Sequence, residues 1–403
     1  MEIKRKHIVL ITKDAMPKSY LPVYGNKVWK TPNIDKLAET GLVFNNYYTC
    51  AGSTSMAFYG MLTGQNLYET DRVDYGDEKP FDGKILFEKF QKEGYKTYLI
   101  WDKTFTRFSK SHLTILNNKV EIISLNIMSS DFTIIPGNNQ IEKDNNIETE
   151  RALNDIFQVF ANLSALDEHS FIWLHVPHIF AGKRAYSTDI EIFDQIIGYA
   201  MNFFGTESLF ISADHGNMDG QRSIYGYGFD LDQPVINIPL ITPSLPFLRN
   251  NKNTFLSNKN LYSILTGNPT IEDFIISDSA YYMQRLRTIS IIHNGYKLIY
   301  IKELNIFKLF DVVFDPVEKH NLFDCIYWDE PRQCWQSLIY RFYYPNWEKA
   351  FIEKKLLLKK FGEIYREGNH FHEFKNKLKN NIRHYQANMK RKKKPKSFVA
   401  KLK

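Results

Sequence analysis

The stretch "HIVLIT" at residues 7–12 is apolar and β-branched through its middle, with no polar residue alternating along it. A strand of this kind must be covered on both faces, as strands of a parallel sheet are when helices lie on each side. Similar runs recur as "KTYLIW" at 96–101, "SFIWLHV" at 170–176 and "SLFISA" at 208–213. Amphipathic segments separate them. "TPNIDKLAETG" reads as a helix with Thr31 as cap, Pro32 in the first position, Ile34, Leu37 and Ala38 on one face, and Gly41 as the stop. "ILFEKFQKEG" repeats the form and stops at Gly94, and "ALNDIFQVFANLSAL" and "DIEIFDQIIGYAMNFFG" supply two more helices. Four strands alternating with helices imply an α/β fold around a mostly parallel sheet, whose ligands gather beyond the carboxyl ends of the strands.

From about residue 275 the period changes. "LRTISIIHNGYKLIYIKELNIFKLFDVVFDP" alternates short strands around His293-Asn294-Gly295, a hairpin signal, and implies a small antiparallel sheet. Residues 331–389 are aromatic and helical in pattern, and 108–150 are polar and Asn-rich, as expected of a loop or insertion. With 403 residues the chain exceeds one ordinary domain. The expected division is a large α/β domain over 1–270, the antiparallel sheet over 271–330, and an extension over 331–403.

Charge is unevenly placed. The net charge is +7, yet residues 390–403 hold eight Lys and Arg and no acid, so the remainder stands at −1. The basic run is a local device, read here as a contact for the anionic inner face of a membrane. No nucleic-acid recognition fold accompanies it. Apolar runs fall short of the roughly 18 residues of a membrane span, and the first segment breaks at Lys13 and Asp14 before reaching the length of a signal core. Three cysteines without C-x-x-C spacing fit a reducing compartment, so the expected location is cytoplasmic.

The chemistry gathers at the strand ends. Asp14 follows the first run, His175 closes the third, and Asp214-His215 follows the fourth, a set of hard oxygen and nitrogen donors suited to a divalent ion. In "YYTCAGSTSMAFYGMLTG", Thr54 precedes a helical segment whose N-terminus stabilises negative charge. The residues alone leave two roles open for Ser53 and Thr54, helix cap or nucleophile.

Together, "HIVLITKDAMPKSYLPVYGN", "TPNIDKLAETGLVFNNYYT" running into "MLTG", "WLHVPHIF", "LFISADHGNMDG" through "NIPLI", and "NGYKLIYI" through "LFDVVFDPVEKHNLFD" resemble the sulfatase branch of the alkaline phosphatase superfamily. The resemblance spans residues 7 to about 324 and implies a metal-dependent α/β catalytic domain followed by a small C-terminal sheet. It implies Asp14, Asp214 and His215 as metal ligands, with Thr54 at the place of the Cys or Ser that becomes formylglycine in sulfatases. Cys50 lies four residues too early. Met56 and Phe58 replace the Pro and Arg that follow a modified Cys, so the pattern is nearer the Thr-nucleophile phosphoethanolamine and phosphoglycerol transferases.

Tyr227, in Gly226-Tyr227-Gly228, stands where many relatives have His, and Ala15 removes a second aspartate. One divalent ion is therefore implied, held by Asp14, Thr54, Asp214 and His215, with zinc first and manganese, magnesium or calcium as alternatives. His178 matches a family histidine that contacts the transferred group or protonates the leaving oxygen, and His175 and Tyr227 are expected to line the substrate. The reaction implied is attack of Thr54 on a phosphodiester, in a hydrolase or transferase acting on a polysaccharide or lipid-linked glycan. The alternatives are a sulfuric ester hydrolase and a catalytically silent binding protein of the same fold.

Overall fold

The computed structural model describes residues 5–70, 83–102, 116, 119–127, 140–177, 185–221, 225–228, 230–250, 253–279, 287–323 and 346–367. His178 and the basic run 390–403 lie outside the described residues. No helix among the described residues is long and apolar enough to cross a membrane.

Seven strands form the central sheet in the order β2 (Leu42–Val43), β10 (Leu240–Thr242), β7 (Leu209–Ala213), β1 (His7–Lys13), β6 (Ser170–Val176), β4 (Lys96–Asp102) and β5 (Glu121–Leu125). All neighbours pair in parallel except β10, which runs antiparallel to both β2 and β7. The α/β fold with a mostly parallel sheet is thus the one the apolar runs imply, and β1 is buried at every position. Its side chains alternate between two helical layers. His7 packs edge-on against Phe204 of α5 (Ala185–Phe204), and Lys13 pairs with Asp189 of the same helix at 2.8 Å. On the other face, Trp173 and His175 of β6 meet Phe58 of α2 (Thr54–Thr63), and Phe87 of α3 (Leu86–Lys92) stacks on Trp173.

Register positions the site. Lys13 is level with Val176 on one side and with Ala213 on the other, so the chain leaves all three strands at one edge, with Asp14 and Asp214 as the next residues of β1 and β7.

Two sequence expectations need correction. Within the supposed loop at 108–150, residues 121–125 form β5 and a long helix, α4 (Gln140–Ser164), begins at residue 140. The edge strand β5 is only partly buried, so it lacks the two-sided apolar signature of the inner strands. In α1 (Pro32–Thr40), Thr31 occupies the cap position, but its hydroxyl donates to Asp35 Oδ1 at 3.2 Å and accepts no backbone N–H of the helix.

The C-terminal sheet is antiparallel in the order β12 (Ile275–Asp278), β13 (Thr288–His293), β14 (Tyr296–Ile301), β15 (Ile306–Asp311). The β13–β14 turn is built as the Asn-Gly pair implies, with Asn294 at φ 47° and Gly295 at φ 83°. The last described helix, α6 (Trp347–Glu367), buries Ala350, Leu357 and Ile364 against Ile289, Ile291 and Leu298, in keeping with a packing role for that segment.

A buried ion pair joins this sheet to the segment that carries Gln233. Lys297 of β14 meets Glu318 Oε1 at 2.7 Å with both side chains fully buried, and Glu318 Oε2 accepts the backbone N–H of Gln233 at 2.7 Å. Removing one partner strands the other charge in the interior. Lys297→Met is therefore expected to lower unfolding free energy by about 3–5 kcal/mol, read as a drop in urea midpoint; a midpoint equal to wild type would show that the pair does not hold the junction.

Candidate metal centre

Asp14, Thr54, Asp214 and His215 come from the ends of β1 and β7 and the first residue of α2, and they meet. Thr54 Oγ1 donates to Asp14 Oδ1 at 3.2 Å and lies 3.0 Å from His215 Nε2. His215 Nε2 stands 3.6 Å from Asp14 Oδ1 and 3.5 Å from Asp214 Oδ2. Asp14, Asp214 and His215 are buried, whereas Thr54 is partly exposed, so Thr54 is the member of the group open to the outside.

Hydrogen bonds fix how each donor atom points. Asp214 Oδ1 accepts the N–H groups of Ala15 at 3.1 Å and of His215 at 2.7 Å, which turns Oδ2 inward. That buried Oδ2 has no hydrogen-bond partner among the described residues. Ala15 achieves its contact from a left-handed backbone, φ 50°, at a cost of about 1–3 kcal/mol for a residue with a Cβ. His215 Nδ1 lies 2.8 Å from the carbonyl of Gly216, to which it donates, and this leaves Nε2 as the ring nitrogen that faces the carboxylates. Acceptor atoms of three side chains thus lie within 4.8 Å of one another. A divalent cation relieves that crowding of lone pairs, and two carboxylates with one imidazole are donors that zinc, manganese or magnesium accepts. The residues present fit such an ion.

Gly216, the third residue of the Asp-His-Gly stretch, is required by space. A Cβ there would lie 1.9 Å from the carbonyl oxygen of Pro234, and its N–H donates to Val235 O at 2.7 Å.

Ser53 is the N-cap residue of α2 but makes no side-chain capping bond, and the Thr54 hydroxyl is turned to Asp14 and His215, so the helix N-terminus carries no side-chain cap. Cys50 is buried, and burial pushes its thiol up to about 12, which keeps it protonated and unreactive at neutral pH.

Of the other expected site residues, Tyr227 has its ring 4.3 Å from that of His215 and is partly exposed. His175 is fully buried, its Nδ1 2.9 Å from Thr12 Oγ1 and its ring edge-on to Phe58. Burial lowers its pKa, with Asp214 and Asp14 pulling weakly the other way, so the ring is neutral at pH 7. This burial gives His175 no surface for direct contact with a substrate, contrary to the lining role expected of it. One residue gave no motif signal: Asn258, whose Nδ2 donates to the carbonyl of Asp214 at 3.1 Å.

Comparison with known proteins gives a family likeness at the level of sequence. Residues 6–201 match the family described as Sulfatase. The first half of the chain is thus similar to the sulfatase family. Over 97 residues, 24% of this chain, it is 35% identical to an arylsulfatase of Clostridium perfringens, and the aligned stretch spans 20% of that relative. In fold the chain resembles a 2-O GAG sulfatase, with a TM-score of 0.65 at 14% identity over 91% of this chain and 93% of the other. A phosphonate monoester hydrolase of Agrobacterium radiobacter is similar at a TM-score of 0.56 and 13% identity, over 87% of this chain and 96% of that one. The sulfatase names favour sulfuric ester hydrolysis over the phosphodiester transfer that the motif pattern implied.

Titration calorimetry with Mn²⁺ or Zn²⁺ is expected to give one ion per chain. Asp214→Asn should weaken binding by more than about 100-fold, beyond what an outer-shell change causes; equal affinity in this variant would place the ion elsewhere.

Proposed function

We propose that the chain is a metal-dependent hydrolase that removes a sulfate ester from a small glycan, with Thr54 as nucleophile. The observation that carries this reading is the convergence of the Thr54 hydroxyl on Asp14 and His215 at the mouth of an otherwise buried acceptor cluster. Support for sulfate comes from the arylsulfatase relative, and support for a glycan from the 2-O GAG sulfatase of like fold.

Asp14, Asp214, His215 and the Thr54 oxygen would hold one divalent ion, which would lower the pKa of the hydroxyl and offset the charge of the transferred group. Tyr227, a poor ligand where many relatives have His, supports a single ion and serves better as a wall of the substrate site. Thr54 Oγ1 gives its proton to Asp14 Oδ1, the acceptor of its hydrogen bond, and attacks sulfur, so that an Oγ1–S bond forms as the bond from sulfur to the sugar oxygen breaks. The departing sugar oxygen takes a proton, for which His178 is the proposed donor. Its support is the sequence stretch "WLHVPHIF", in which His178 matches a family histidine that contacts the transferred group or leaving oxygen. Water then cleaves the threonine ester, releasing sulfate and restoring the hydroxyl. The uncapped N–H groups at the start of α2 stabilise the anionic oxygens of the group in transit. His175 acts from below, as a packed support for Phe58 and Thr12.

One observation favours a second reading. Threonine is a secondary alcohol, and oxidation would give a ketone rather than the aldehyde of formylglycine, so Thr54 must act as a simple alcohol. Attack by a simple alcohol suits phosphorus, in a phosphodiester of the phosphoethanolamine or phosphoglycerol type, as hydrolase or transferase.

Assay of an aryl sulfate and a bis-aryl phosphodiester with Mn²⁺ or Zn²⁺ separates the two. Turnover of the sulfate is expected, with Thr54→Ala lowering kcat on the order of 10³-fold or more. Turnover of the diester alone would transfer the conclusion to the second reading, and a Thr54→Ala enzyme as active as wild type would contradict both.

A further inference from the structure

The nucleophile and the Asp214-His215 pair belong to segments about 160 residues apart in sequence, and little in either motif says what fixes the gap between them. The link is a single buried amide. Asn258 is fully buried, directly after β11 (Leu256–Ser257), which pairs in parallel with β3 (Tyr47–Tyr48), the strand that leads into the nucleophile loop. Its Oδ1 accepts the N–H of Cys50 at 2.8 Å. Its Nδ2 donates to Thr49 Oγ1 at 3.0 Å and to the carbonyl of Asp214 at 3.1 Å.

These partners determine the orientation of the amide. The Cys50 N–H can only donate and the Asp214 carbonyl can only accept, so a flipped amide would oppose like groups at both ends. Both amide protons and one lone pair are used, as a satisfied buried network requires. Each end of the link is itself anchored. Thr49 accepts the Ser277 hydroxyl at its carbonyl and donates its N–H to Ile236 O, and Asp278 N donates to the carbonyl of Cys50. At the other end, Asp214 is held through its side chain by the N–H groups of Ala15 and His215. Asn258 therefore ties the loop that ends at Thr54 to the backbone of a ligand residue, and it touches neither the hydroxyl nor the ligand atoms.

We propose that Asn258 is a positioning residue, which sets the spacing between the Thr54 hydroxyl and the Asp214-His215 pair. The proposal rests on the metal-centre reading above. Loss of the amide leaves the Asp214 carbonyl and the Cys50 N–H without these bonds, and the loop and the ligand segment lose their common reference. The effect is that of an outer-shell partner: ligand atoms remain, and their geometry loosens.

The test uses the full chain, with Asn258→Ala and the milder Asn258→Ser, which keeps a hydroxyl able to meet one partner. Circular dichroism and a cooperative thermal melt of the ion-free proteins establish that each variant is folded, and Asn258→Ser carries the test should the alanine variant not fold. Calorimetry with Mn²⁺ is then expected to show affinity reduced about 10- to 100-fold in Asn258→Ala, with Asn258→Ser between it and wild type. On a substrate turned over by wild type, kcat should fall while KM stays within about 2-fold, since the amide does not touch substrate. Folded variants with wild-type Mn²⁺ affinity and wild-type kcat would overturn the role of Asn258 and leave the metal centre standing. Wild-type protein that binds no Mn²⁺ would overturn the metal-centre reading and this inference with it.

Discussion

Two carboxylates and an imidazole lone pair buried side by side are costly, and the site is built around containing that cost. Desolvation penalises each carboxylate, and mutual repulsion adds to it. What opposes this is a set of directed hydrogen bonds: the Ala15 and His215 N–H groups on Asp214, the Thr54 hydroxyl on Asp14, and the Gly216 carbonyl that fixes the His215 ring. Asp214 Oδ2 is left over. A cation held by these residues would complete the balance, and would make an alcohol at its edge more acidic for the same reason.

The sheet makes the convergence unavoidable. Because β1 pairs with β7 in a register that sets Lys13 beside Ala213, the next residues, Asp14 and Asp214, leave the sheet together although 200 positions separate them in the chain. On the α2 face, Phe58 packs against Trp173 and His175 of β6 and so seats the helix whose first residue is Thr54. The hydrophobic core thus sets the distances within the cluster. The strained turn at Ala15 is consistent with a segment whose conformation is dictated by the site.

What could be read from the sequence follows from which signals are local. The inner strands were legible because burial on both faces leaves an unbroken apolar run, as in residues 7–12 and 170–176, and the Asn294-Gly295 turn because it needs φ > 0 at two successive residues. Asp14 and Asp214-His215 stood out by their position at strand ends. The edge strand β5 did not, since one side of it meets solvent and its composition resembles a loop. The antiparallel insertion of β10 between β2 and β7 depends on tertiary packing, and its three residues carry no directional mark. Asn258 and the Lys297–Glu318 pair were invisible for a further reason, in that a buried polar residue reads as surface until its partners are known. His175 was misjudged in the same way, with a strand-end histidine expected at the substrate and found beneath α2.

The fold of this chain is shared with a 2-O GAG sulfatase, and a threonine stands at position 54 beside the carboxylates. Whether sulfur or phosphorus is attacked, the central claim is the same: one cation bound by Asp14, Asp214 and His215 with the Thr54 oxygen as its remaining protein neighbour. Anomalous diffraction from crystals grown with Mn²⁺ or Zn²⁺ tests it most directly. The account requires one strong peak bounded by those four side chains; crystals at saturating ion with the four side chains well defined and no peak among them would contradict it.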